Sequence, residues 1–107
     1  MNPATEDADI LAAASRPMRK ALLEEAIGLT CGDRNEAYGD PVVNHQHIAD
    51  IVNATLDYEL SANDIAVIMM CVKLARLAKN PTHRDSYVDL MAYAGIAYEC
   101  AIPPTST

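Results

Sequence analysis

A chain of 107 residues, half of them hydrophobic and with a formal net charge of -7, has room for one domain with a modest core. At that size oligomerisation often adds the missing buried surface. The negative charge argues against broad nucleic-acid binding and against an anionic membrane surface, since both would repel the protein at long range. Cys31, Cys71 and Cys100 show neither Cys-x-x-Cys spacing nor a nearby His pair, which argues against a disulfide framework or a zinc site and suits a reducing compartment. No basic stretch followed by an apolar run opens the chain, and the apolar run from Ile65 to Val72 is too short to span a bilayer, so the expected location is cytoplasmic.

In chain order, residues 1–6 and 103–107 read as frayed ends of a single domain spanning 1–107, and everything between carries helical signals only. A first helical stretch covers about 7–15. After Pro17 a second carries Met18, Leu22, Leu23, Ile27 and Leu29 with charges between them, and Gly32 ends it. Arg34 to Tyr38 form one short turn. Gly39-Asp40-Pro41 is a helix start, with a residue free to turn, an N-cap and a first-turn proline. The helix it opens runs to about Glu59 with an apolar stripe of Ile48, Ile51, Val52 and Leu56. At helical periodicity Asn44 and His45 fall on that inward stripe, whereas His47 points away.

Ser61-Ala-Asn-Asp64 is a capping-box start with Asp in place of Glu, and it leads into Ile65-Ala-Val-Ile-Met-Met-Cys-Val72, apolar on every side. Such a helix is predicted to lie centrally in its bundle, yet Lys73 and Arg76 follow at once on one face. Buried cations need partners. The short loop Lys79 to His83 predicts that the last helix, about 82–100, runs back antiparallel. Its inward stripe contains Asp85, Asp89, Ala92, Tyr93 and Ile96. The expected architecture is all-α: a compact bundle of four to five helices closed by an antiparallel C-terminal helical hairpin.

Residues equally far from a hairpin's turn lie at similar heights. Counting from Pro81 pairs Lys73 with Asp89 and Arg76 with Asp85. These pairs either set the hairpin's register or build a polar pocket. Asp85 also suits the first helical turn by itself.

Three blocks carry a resemblance: Arg34-Asn-Glu-Ala-Tyr-Gly-Asp-Pro-Val-Val-Asn-His45, Met69-Met-Cys-Val-Lys-Leu-Ala-Arg76 and Asn80-Pro-Thr-His-Arg-Asp-Ser-Tyr-Val-Asp-Leu-Met-Ala-Tyr-Ala94. Over about residues 20–100 the chain resembles a family of small phage and prophage proteins that carry a domain of unknown function. That family distantly resembles the MazG-like all-α nucleoside triphosphate pyrophosphatases, whose helical subunits dimerise and hold magnesium on acidic E-x-x-E and E-x-x-D motifs. The resemblance implies a MazG-like bundle, a homodimer, a host-cytoplasmic location if phage-encoded, and a phosphorylated substrate. Asp85 and Asp89 stand near the second motif with a spacing one residue longer, whereas Lys73-x-x-Arg76 stands where the first would be and reverses its charge.

Magnesium-assisted hydrolysis needs converging oxygen ligands and a base that orients water. The candidate ligands are Asp85, Asp89 and Asp40, and the candidate catalytic groups are His45, Glu36 and Asp89. Lys73 and Arg76 oppose a cation and suit a phosphate, with Arg34, Arg84, Asn44 and Tyr38 as further ligand contacts. The residues therefore argue more readily for a nucleotide or other phosphorylated small molecule being held than for its being cut. The competing expectation is a non-enzymatic phage accessory protein that binds a host protein through its acidic surface.

Other residues have plainer readings. His47 is a solvated surface residue, His83 a loop residue, and Glu24-Glu25 a solvated face. Met69-Met70 is core or dimer interface. Tyr87, Tyr93 and Tyr98 pack more readily than they stack on a base. A nucleophilic Cys has no His tied to it by sequence.

Overall fold

The computed structural model describes residues 18–32 and 39–103. Among them are four helices and no strand: α1 (18–31), α2 (Pro41–Leu56), α3 (Ala62–Lys79) and α4 (Arg84–Ala101). The helix expected over 7–15, the turn carrying Arg34, Glu36 and Tyr38, and the end of the tail lie outside the described residues.

The capping residues do what their types require. Gly39 takes a φ of 84°, the Asp40 carboxylate accepts from the Val42 N–H at 3.3 Å, and Pro41 occupies the first helical turn. At the start of α3 the capping box closes both ways. Ser61 Oγ accepts from the Asp64 N–H at 3.0 Å, and Asp64 Oδ2 accepts from the Ser61 N–H at 2.9 Å. α2 stops at Leu56, short of the expected Glu59, because Asp57 turns left-handed at φ 58°. The link to α3 is held by Asn53. Its side chain donates to the Leu60 carbonyl at 2.9 Å and accepts from the Leu60 N–H at 2.8 Å, satisfying both backbone groups of that residue.

α3 and α4 share the most extensive contact of the described helices. Asn63 near the start of α3 donates to the Ala97 carbonyl late in α4 at 2.8 Å, whereas Lys73 far along α3 meets Asp89 early in α4. The buried centre between them is Ala66, Ile96 and Ala97, with Met70, Tyr93 and Cys100 packed against it. α2 lies against α3 and, less extensively, α4. An Arg84 to Glu25 ion pair ties α1 to the start of α4.

α3 lies between α2 and α4, as expected of a central helix, but its apolar surface is not covered on every side. Val67, Ile68, Val72 and Leu74 are exposed, because α2 and α4 cover only the opposite face. An apolar sequence shows that a face is hydrophobic and not that its own chain covers it. The same reason leaves Ile51 and Leu56 of α2, and Met18, Leu23 and Ile27 of α1, exposed. Among the described residues no helix is long and apolar enough to cross a membrane.

Candidate ligand pocket

His45 lies one turn into α2 with only 5 % of its surface exposed. Its Nδ1 is 2.7 Å from the Pro41 carbonyl. A carbonyl can only accept, so Nδ1 carries the proton and, in the neutral ring, Nε2 presents its lone pair. That Nε2 is fully buried and has no hydrogen-bond partner among the described residues. The ring stands edge-on to Tyr93 of α4, with centroids 5.9 Å apart and planes at 64°.

His45 lines a cavity of about 370 Å³ that also takes in Asn44, Lys73, Asp89 and Tyr93. Its walls come from all four helices, with Leu29 and Thr30 supplied by α1 and Gly39 by the turn before α2. Lys73 Nζ lies 3.2 Å from Asp89 Oδ2, and their side chains keep 12 % and 31 % exposure. This ion pair is therefore mostly withdrawn from water while remaining at the cavity wall. The contact is the one that counting from the loop predicts.

The companion pair does not form. Arg76 and Asp85 are both exposed and make no ion pair with each other. Arg76 instead joins Lys79 and His83 around a separate open cleft at the far end of α3. Arg84 is also absent from the pocket, since its guanidinium holds Glu25. Asp40 caps α2 and lines a neighbouring cleft with Cys31 and Glu99. Among the described residues no three His, Cys, Asp or Glu side chains gather closely enough to hold a metal ion. Asp40, Asp85 and Asp89 therefore do not assemble the expected magnesium site, because one points outward, one caps a helix and the third holds an ammonium. The sequence-based candidates brought together are Asn44, His45, Lys73 and Asp89.

Asn44 is exposed although it edges the cavity, so the inward stripe reaches it only partly. His47 is exposed, as expected. His83 does more than a loop residue, since its Nδ1 lies 2.7 Å from Oγ of the fully buried Ser86. Tyr87 donates to the Pro81 carbonyl at 2.8 Å, and Tyr98 is exposed. The contribution of the Pro41 carbonyl was not legible beforehand; its only trace is the four-residue spacing to His45. Burial raises the Cys100 thiol above its ordinary pKa, and the carboxylates of Glu99 and Asp40 add to the shift.

Fold and pocket together define an all-helical protein with a small polar cavity between its helices. The chain belongs to the family described as a domain of unknown function, DUF6378, which matches residues 21–101. It is similar to the Gene 55 protein of Mycobacterium phage D29, 41 % identical over 78 residues, which cover 73 % of this chain and 52 % of that protein. It is also similar to the Gene 55 protein of Mycobacterium phage L5, 34 % identical over 84 residues, which cover 78 % of this chain and 54 % of that protein. The chain thus spans about half the length of the curated relatives it matches. No solved structure matches it.

Proposed function

We propose that this is a phage-type, MazG-like protein of nucleotide metabolism, a dimer built on an antiparallel C-terminal hairpin, whose cavity binds a nucleotide or other phosphorylated small molecule without cutting it. One observation carries the reading: His45, whose buried Nε2 has no hydrogen-bond partner among the described residues, lines the same cavity as the Lys73 to Asp89 ion pair. Buried polar atoms are ordinarily paired, and an orphan at a cavity wall is accounted for by a ligand group. The volume falls at the lower end of small-molecule pockets, which run from roughly 300 to 1,000 Å³. Binding is favoured over hydrolysis because Asp89, the one acid lining the cavity among the described residues, already holds Lys73.

Phosphorus NMR of the protein with mixed ribo- and deoxynucleoside triphosphates, with and without magnesium, tests this. Selective broadening without turnover is the expected result. Release of pyrophosphate and monophosphate, abolished by Asp89→Asn, would make the protein a pyrophosphatase. An unchanged spectrum would remove the nucleotide reading.

A second reading has its own support. The exposed row Val67, Ile68, Val72 and Leu74 on α3 is the kind of apolar surface that a protein partner covers. A second copy of the chain fits the dimer reading, and a host protein fits the accessory-protein reading. Sedimentation velocity of the purified chain separates them, since a monomer at micromolar concentration removes the dimer.

A further inference from the structure

We infer that α3 pairs antiparallel with α3 of a second copy of this chain, through the apolar face that α2 and α4 leave uncovered. The inference rests on the dimer part of the reading above and specifies the surface, the direction and the residues that form it.

The uncovered face has the pattern of a helix seam. Asp64, Ile68, Cys71, Ala75 and Ala78 are all exposed and stand alternately four and three residues apart, which sets them in one line along α3. Val67 and Leu74 flank that line on one side and Val72 on the other, and all three are exposed. The opposite side of α3 is used within the chain, where Lys73 meets Asp89, Asn63 meets the Ala97 carbonyl, and Ala66 is buried with Ile96 and Ala97. The line is therefore a second apolar surface on the same helix and not the rim of the core. The small side chains of Cys71, Ala75 and Ala78 allow another helix to approach closely, since interaxial distance follows the residues at the contact.

Charge selects the occupant and its direction. The exposed face carries an acid, Asp64, in the first turn of α3 and two cations, Arg76 and Lys79, in the last. None of the three makes an ion pair among the described residues. A helix acidic at one end and basic at the other is complementary to its own reversed copy. Two-fold pairing then sets Asp64 against the cationic end of the partner helix twice, with Ile68 and Cys71 next to the axis. A parallel copy would instead set Arg76 and Lys79 against their own counterparts. Because each chain carries a net charge of -7, two copies repel at long range, and a local match of opposite charges is what lets this face close.

The test is sedimentation velocity over a concentration series of the wild-type chain, Cys71→Arg, and the double variant Arg76→Gln with Lys79→Gln, each checked by a thermal melt. The substituted residues are exposed, so the monomer fold is expected to persist. The wild type should dimerise, and Cys71→Arg, which places a charge in the seam, should raise the dimer Kd by more than about tenfold. The double variant should also weaken the dimer, because it removes the cations facing Asp64; a tighter dimer would mean parallel helices and overturn the inference. A dimer that Cys71→Arg leaves unchanged, with the melt intact, places the interface elsewhere and overturns the inference while the dimer reading stands. A monomer at every concentration overturns both, and the ligand reading, tested by phosphorus NMR, is unaffected. Iodoacetamide gives a second readout without any substitution. Cys71 reacts from the monomer, so its labelling should slow as protein concentration rises while that of exposed Cys31 does not. A Cys71 rate that stays constant through the range where the chain dimerises overturns the inference.

Discussion

Lys73 on α3 and Asp89 on α4 meet at 3.2 Å and line the same cavity as His45, which holds the one buried side-chain nitrogen without a partner among the described residues. The pair ties the two longest-contacting helices together and supplies the only formal charges of the cavity wall among the described residues. Its energetic weight lies between the surface and buried extremes, because Asp89 keeps 31 % of its side-chain exposure. Lys73→Met and Asp89→Asn are each expected to destabilise the fold by about 1–3 kcal/mol, the cost of leaving a partly buried group unpaired. In a double-mutant cycle by urea denaturation the two losses should not add. Strict additivity would show that the pair contributes nothing as a pair.

Asn53 makes both of its hydrogen bonds to one residue, Leu60. Asn53→Ala leaves the Leu60 N–H and C=O without those partners and should lower stability by about 1–3 kcal/mol. Asn53→Asp keeps the acceptor and loses the donor, so its loss is expected to be smaller. Equal losses in the two variants would show that only the bond to the Leu60 carbonyl matters.

Gly39 sits at φ 84° in the turn that aims α2, and space around it is open. Any cost of Gly39→Ala is therefore a backbone cost, about 1 kcal/mol for a side chain forced left-handed. Thermal melts measure it. A variant as stable as the parent would mean that the turn relaxes to another conformation, and the broadening of the nucleotide signals should then weaken.

Burial, with Glu99 and then Asp40 nearby, holds the Cys100 thiol in its neutral form to higher pH than an ordinary thiol. Cys31 and Cys71 are exposed, so iodoacetamide is expected to label them first, with Cys100 responding only as pH is raised further. The linkage has a definite sign. Because the folded pKa lies above the unfolded one, this contribution to stability is complete below the unfolded thiol value and fades as pH rises through the folded value. Asp40→Asn should shift Cys100 labelling to lower pH. Labelling unchanged by that variant would show that burial and Glu99 account for the whole shift.

Much of the helical plan was legible residue by residue, because capping and turn chemistry act within a few positions of the chain. Ser61 with Asp64, and Gly39-Asp40-Pro41, open their helices as their residue types require. Helical periodicity placed His45 inward, and distance from the loop paired Lys73 with Asp89. Height along a hairpin does not determine direction around each helix, so the same count failed for Arg76 and Asp85. Only the packing of α3 against α4 sends those two outward.

The tertiary structure alone decided which apolar faces are covered. It left Val67, Ile68, Val72 and Leu74 in solvent, because covering them requires surface that the described helices place elsewhere. It also decided the chemistry of the pocket. The sequence by itself determined that His45 and a lysine–aspartate pair would be available at the inner surface. The Pro41 carbonyl decided which ring nitrogen of His45 is hydrogen-bonded and which is left without a partner among the described residues, since side-chain orientation follows from local contacts that no spacing rule encodes.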